Sequence, residues 1–240
     1  MQPQLTIVPT ADGSNTIYNS LVGENYHSRN GALQESRHVF VNSGLKYFLE
    51  NAKASLPTGG GNPIAIGLEG ASILEVGFGT GLNFLLSAEF CITQNIQLHY
   101  TGIEAYPLTP EMTGQTGYEQ YLSADLWQQF IQNYRDILNH PVQINPLCRL
   151  HIAHCELLNF QSGSLYDVIY FDAFASANQP EMWNEKAITH TLQFLKPGGV
   201  FVTYAITGNL KRIIKGLGLK VEKAPGAPGK REMLRAIKGL

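Results

Sequence analysis

Apolar residues recur along this chain with two different periods, and the change from one to the other predicts its architecture. Val41, Leu45, Phe48, Leu49 and Ala52 fall at i, i+4, i+7, i+8 and i+11, which is the spacing of one helix face. Pro57 and the glycine-rich residues 58–63 break that pattern. Residues 1–30 are polar and read as irregular, with a short strand possible at 5–8. From residue 72 onward, short apolar runs alternate with helical patterns. The runs at 73–76, 97–104, 149–153, 166–172, 199–205, 219–223 and 232–237 predict seven strands. Strands that alternate with helices form a mostly parallel, doubly wound α/β sheet. The last two strands have only a Pro/Gly-rich loop between them and predict an antiparallel hairpin at the sheet edge. Residues 105–148 are too long for a simple crossover, which usually takes 2–6 residues. Tyr118, Leu122, Phe130, Tyr134 and Ile137 recur there at helical spacing, so this stretch predicts a helical insertion. The expected organisation is a helical N-terminal extension, 1–62, packed on a core domain, 63–240.

Composition changes this picture only a little. Hydrophobic residues make up 44% of the chain, ample for a core, and the net charge of −2 supplies no global basic field for nucleic acid. Any such contact must come from a local cluster, and nine of the 17 basic residues lie between Lys211 and Lys238. Cys91, Cys148 and Cys155 are odd in number and form no C-x-x-C pair, so neither a disulfide framework nor a metal site is expected. The start of the chain lacks a basic stretch followed by an apolar core, and no apolar run reaches the length of a membrane span. A cytoplasmic protein with reduced thiols is the expectation.

Residues 73–86 carry the first chemistry. Ile73, Leu74 and Val76 read as a buried strand, Gly77, Gly79 and Gly81 as a turn, and Leu82, Phe84, Leu85 and Leu86 as the start of a helix. Such a turn brings bare backbone to a ligand, and the helix start aims free N–H groups and a positive dipole end at the same spot. A dinucleotide fingerprint needs G-x-G-x-x-G, whereas these glycines stand at every second position. The pattern E-x-G-x-G-x-G resembles motif I of the class I S-adenosylmethionine (SAM) methyltransferases, whose fold is a Rossmann-like seven-stranded sheet. That resemblance implies SAM as cofactor, with Glu75, Gly77, Phe78, Gly79, Thr80, Gly81 and Asn83 around it.

Partners for the turn stand at later strand ends. Glu104 lies 23 residues beyond Gly81, where a carboxylate takes the hydroxyls of an unphosphorylated ribose. Glu75 is either a solvent-linked contact to the methionine amino group or one half of a structural ion pair. His154, Cys155 and Glu156 follow the third strand, at the place where SAM enzymes often contact adenine, or else form a surface turn. Asp172 ends the fourth strand and faces the same crevice. It is the candidate catalytic residue, able to orient an amine and to offset charge developing on nitrogen, and a candidate cofactor contact as well. Phe174 and Trp183 either stack a substrate base or pack the core.

Several segments together are similar to the methyltransferase domain of the MnmC family. They are 75–84 (EVGFGTGLNF), 172–183 (DAFASANQPEMW), 195–200 (LKPGGV), 230–234 (KREML) and the N-terminal stretch 26–40 (YHSRNGALQESRHVF). The resemblance implies N-methylation of a tRNA wobble uridine, from the 5-aminomethyl-2-thiouridine to the 5-methylaminomethyl form. It also implies tRNA as partner, with Lys230 and Arg231 in a substrate-contacting loop. The chain ends at Leu240, three residues past the last expected strand, so no fused oxidoreductase is expected and a separate enzyme would supply the amine. A SAM methyltransferase of a small molecule or protein, and a non-catalytic nucleotide-binding domain, stay open as alternatives.

Overall fold

The polar N-terminus is more ordered than its pattern predicts. In the computed structural model, which describes residues 4–54 and 70–240, it forms an antiparallel sheet of β1 (Leu5–Pro9), β2 (Asn15–Asn19) and β3 (Glu24–Asn25). Ile17 and Thr16 are the buried positions of β2, so the sheet rests on the protein through few side chains. The glycine-rich stretch 58–63 and the expected boundary at 62/63 lie outside the described residues.

The expected helix begins nine residues before its first predicted apolar position. α1 (Ala32–Glu35) runs on through π-helical turns over Ser36–Lys46 into α2 (Tyr47–Ala54). The wider π turns bury Val39, Phe40, Val41, Gly44 and Leu45 together, which blurs the strict 3.6 period. Gly44 sits so close to the sheet that a Cβ there would lie 2.9 Å from both Tyr170 and Val202.

The remaining elements are β4 (Gly70–Val76), α3 (Leu82–Thr93), β5 (Gln97–Glu104), α4 (Pro110–Gly114), α5 (Ala124–Gln132), α6 (Tyr134–Ile137), β6 (Val142–Asn145), β7 (Cys148–His154), β8 (Tyr166–Phe171), α7 (Glu185–Leu192), β9 (Leu195–Thr203), α8 (Gly208–Gly216), β10 (Lys220–Pro225) and β11 (Glu232–Ile237). The sheet order is β10-β11-β9-β8-β4-β5-β7-β6. Pairings among β9, β8, β4, β5 and β7 are parallel, and β10–β11 is the expected antiparallel edge hairpin.

Two details depart from expectation. The sheet has an eighth strand, because Val142–Asn145 at the end of the insertion turns back and pairs antiparallel with β7. Four residues with two inward positions, Val142 and Ile144, make too short an alternation to stand out. β9 also starts at Leu195, ahead of the glycines, with a register shift that lets Lys196 reach Asp167 at 2.9 Å and Ser72 at 3.2 Å.

Two hydrophobic cores cover the faces of the sheet. Helix 32–54, α3, α5 and α6 pack on one side around Phe40, Phe84, Tyr100, Phe130 and Tyr170. On the other, α7 and α8 pack around Phe171, Trp183, Ile188, Phe201 and Ile214. Among the described residues no helix is long and apolar enough to cross a membrane. Gly44→Val should cost about 1–3 kcal/mol of stability through overpacking against Tyr170 and Val202. Urea unfolding measures this, and an unchanged midpoint would contradict the close approach.

Candidate active site

Chain order places the site. β4 has β5 on one side and the much later β8 on the other, so the connections leave it in opposite directions. A crevice opens outside the carboxyl ends of strands at such a point. Gly77, Glu104 and Asp172 stand there, directly after β4, at the last position of β5 and directly after β8.

The turn from β4 to α3 is held from several sides. Gly77 and Phe78 both donate backbone N–H groups to the Ile103 carbonyl, at 3.1 and 3.2 Å. The Gly79 N–H donates to Glu104 Oε2 at 2.9 Å, and the Tyr106 N–H donates to Oε1 of the same carboxylate at 2.9 Å. Gly77, Gly79 and Gly81 have φ of 83°, 53° and 79°, in the region that favours glycine. A Cβ at Gly79 would lie 2.8 Å from the Tyr26 ring, so an N-terminal residue covers the turn. Thr80 beside it meets His27 Nε2 at 2.8 Å. Burial lowers the His27 pKa to about 4, which keeps its imidazole neutral.

Asn83, in the first turn of α3, joins two carboxylates. Its amide donates one hydrogen to Glu75 Oε1 at 2.7 Å and the other to Asp172 Oδ2 at 2.8 Å. Tyr100 donates to the second oxygen of Glu75 at 2.8 Å. Glu75 is fully buried, and desolvation together with the Asp172 charge holds its carboxyl well above the usual range. Desolvation, then the Glu35 charge, raises Asp172 to about 8 against the pull of Asn83. The Asn83 Oδ1 atom is buried with no protein partner among the described residues.

Beside Asp172 lies a pocket of about 230 Å³ lined by Glu24, Tyr26, Glu35, Phe174, Tyr204 and Lys230, among others. Tyr26 and Phe174 meet edge to face at 5.1 Å and form an aromatic wall. Glu24 accepts the Ala175 N–H and the Asn178 amide, both at 2.9 Å, and so holds the segment after β8. Lys230 donates to Glu35 at 2.9 Å and sits 3.9 Å above the Tyr204 ring. Three carboxyl groups, those of Glu24, Glu35 and Asp172, therefore share this pocket with two cations, Lys230 and Arg29.

The structure gathers Glu75, Gly77, Gly79, Gly81, Asn83, Glu104 and Asp172 at one crevice, with Phe174 and Lys230 at its acceptor side. Other candidates point elsewhere. Phe78 is buried among Phe84, Tyr100 and Phe130, and the Thr80 hydroxyl turns to His27 and Tyr118. Trp183 is only 6% exposed, packs on Phe171 and Tyr204, and donates its indole N–H to the Phe174 carbonyl at 2.7 Å. It braces the loop from behind and offers no stacking face, so the core-packing alternative is the one realised. Arg231 is exposed beyond the pocket. Cys155 leans on the second core and Glu156 is exposed, whereas His154 is aligned with Glu104 across β5 and β7. Sequence spacing missed Glu24, Glu35, Tyr26, Tyr100 and Tyr204 as parts of the site. The visible signal for Glu24 and Tyr26 is a dense polar run at 24–29 in a chain with few charges.

A family model described as S-adenosyl-L-methionine-dependent methyltransferase matches residues 120–239, half of the chain. The chain belongs to that methyltransferase family. The bifunctional protein MnmC of tRNA 5-methylaminomethyl-2-thiouridine biosynthesis from Ectopseudomonas mendocina is 31% identical over 228 residues, covering 88% of this chain and 32% of the relative. Its counterpart from Chromobacterium violaceum is 30% identical over 223 residues, covering 89% and 32%. The methyltransferase thus spans about a third of the length of the curated relatives it matches. The crystal structure of MNMC2 from Aquifex aeolicus superposes with a TM-score of 0.74 and 22% identity over 98% of this chain and 71% of that one, a likeness of fold.

The residues at the crevice fit the family's cofactor. The first turn of α3 has no side-chain cap, so its N–H groups face the crevice with no side-chain acceptor. Glu104 keeps spare lone pairs for a diol, and Asn83 Oδ1 is a buried acceptor that awaits a donor. Burial raises the carboxyls of Glu75, Glu104 and Asp172, and a cation such as a sulfonium among them would favour their ionised forms.

A proton balance follows for the ligand-free methyltransferase. Asp172 holds its proton more tightly folded than unfolded, where its pKa is near 3.8, so its stabilising effect is lost as pH rises through about 8. The melting temperature should fall between about pH 4 and pH 8 and level off above, and Asp172→Asn should flatten that fall. Identical slopes in a pH series of thermal melts would refute the assignment.

Proposed function

We propose that this methyltransferase methylates the primary amine of 5-aminomethyl-(2-thio)uridine at the wobble position of tRNA. The observation that carries the reading is the acceptor pocket, in which Glu24, Glu35 and Asp172 converge beside an aromatic wall of Tyr26 and Phe174. A carboxyl-rich, aromatic-walled cavity suits a nucleobase bearing an amine. The relatives' names, which place those proteins in tRNA 5-methylaminomethyl-2-thiouridine biosynthesis, support the same acceptor. The acceptor amine is the product of a preceding reaction.

The pocket's carboxylates have distinct tasks. Glu35 is engaged by Lys230, and Glu24 by the loop after β8. Asp172 binds no cation and lies at the join between pocket and crevice, held in place by Asn83. SAM, when bound, supplies an electrophilic methyl group on a sulfonium; Gly79, Asn83 and Glu104 would hold it. Asp172 takes a proton from the incoming ammonium onto a carboxylate oxygen and leaves a neutral amine with a free lone pair. A carboxyl poised near pH 8 accepts and releases protons in the neutral range, as a general base requires. The neighbouring carboxylates of Glu24 and Glu35 then offset the positive charge that develops on nitrogen as the methyl arrives. Tyr26 and Phe174 orient the base and keep water from that side.

Transfer of label from SAM to tRNA lacking the final methyl tests the reading; no incorporation into the wobble nucleoside would sink it. Asp172→Asn should retain SAM affinity within about threefold and lose about 10²–10⁴ in methyl transfer. Glu104→Ala should chiefly weaken SAM, as calorimetry reads directly. Equal loss of SAM affinity in both variants would refute this division of roles. With both substrates well below saturation, the rate should rise with pH to a plateau above about 8 and lose that dependence in Asp172→Asn.

A further inference from the structure

The nine late cations separate into two groups. Lys220 and Arg235 are bound to Glu222, Lys223 to Glu232 and Lys230 to Glu35, while Lys238 donates to the carbonyls of Leu192 and Leu195. Lys211, Arg212, Lys215 and Arg231 have no carboxylate partner among the described residues; Arg212 reaches only the Asn209 side chain. Three of these four stand on α8.

α8 presents them as one stripe. Gly208, Lys211, Arg212 and Lys215 fall at i, i+3, i+4 and i+7, and the opposite stripe of Leu210, Ile213 and Ile214 is buried in the second core. The helix carries no acidic residue. Together with Val221 and Lys223 of β10, the stripe lines a groove of about 600 Å³ in which four of six lining residues are cationic and none is acidic. It contains no aromatic residue, so it suits phosphates and not base stacking. Its charges are spread over a helical turn and onto a neighbouring strand, which suits a linear polyanion better than a single phosphate. Its concavity suits a strand and not a flat membrane.

The groove also lies close to the acceptor pocket. Lys223 pairs with Leu234, and Leu234 with Thr203. Two strand spacings of about 4.8 Å put Lys223 roughly 10 Å from Thr203, whose neighbour Tyr204 lines the pocket. At about 3.4 Å per stacked nucleotide, that gap is about three nucleotides.

We infer that the groove between α8 and β10 is the track for the RNA backbone flanking the acceptor nucleoside, with Lys211 and Lys215 as its main phosphate contacts. The inference rests on the tRNA reading above. It is tested with the double variant Lys211→Gln/Lys215→Gln, using tRNA binding by fluorescence anisotropy across a salt series, with SAM calorimetry and melting as checks on folding. Affinity at about 0.15 M salt should fall about tenfold, and the slope of log K against log salt should shrink by about 1.4–1.8. A control pair of exposed substitutions elsewhere, Arg149→Gln/Lys186→Gln, should leave the slope within experimental error. If wild-type protein methylates tRNA but the groove variant keeps its slope and affinity, or the control loses as much, the groove is not the track. If wild-type protein neither binds nor methylates tRNA, the substrate reading fails and the groove inference with it.

Discussion

Glu75 and Asp172 are two carboxylates that share one amide. Asn83 spends both of its amide hydrogens on them and so links the ends of β4 and β8. Burial is the main reason both carboxyls are pushed upward, with the Asp172 charge adding to it at Glu75 and the Glu35 charge adding to it at Asp172. The arrangement requires α3 to begin where it does, so that Asn83 faces back over the strand ends. That start requires the glycine turn, with Gly77 against the Asp172 carbonyl and Gly79 against Tyr26. Turn, helix start and the Asp172 carboxyl are therefore one mechanical unit. A shift in any of them would leave a buried carboxyl without a partner, a change that typically costs several kcal/mol.

This unit explains why the N-terminal segment belongs to the site. Tyr26 covers Gly79, His27 meets Thr80, Ser28 donates to Glu35, and Glu35 holds Lys230 from the far end of the chain. The acceptor pocket is thus assembled from the first 35 residues, the loop after β8 and the loop of the last hairpin. The small N-terminal sheet has little core of its own, so these contacts are what orient it. Its order and the shape of the pocket depend on each other.

How much was legible in the sequence follows from how local each signal is. The strands at 73–76, 97–104, 166–171 and 232–237 were visible because buried strands carry continuous or alternating apolar runs. The crevice residues Glu104 and Asp172 were visible because ligand sites in this architecture gather at strand ends, and strand ends can be read. Val142–Asn145 was hidden by its length, and the π turns over Ser36–Lys46 by a period near that of an ordinary helix. Glu24 and Glu35 could not be placed by spacing, since they meet Asp172 across more than 130 residues of chain and only packing decides such distances. Trp183 shows the limit from the other side: sequence alone left stacking and core packing open, and the structure has its indole N–H bracing the loop.

Charge separation links these observations. A net charge of −2 conceals a chain whose last 33 residues carry nine cations and two carboxylates, so the remainder is distinctly acidic. The acidic part surrounds the crevice and its pocket, where, on the proposed reading, a sulfonium and an ammonium meet although they repel each other. Glu75, Glu104, Asp172, Glu24 and Glu35 reduce that repulsion in a low-dielectric crevice, where each charge counts for more than in water. A polyanionic substrate would be repelled by the same carboxylates. The cations of α8 and the last hairpin answer that second requirement on an adjacent face. The β10–β11 hairpin serves both regions, sending Lys223 to the groove and Lys230 into the pocket. On the proposed reading, one edge hairpin therefore sets the distance between the backbone of a bound strand and the acceptor amine, a distance that neither region could set alone.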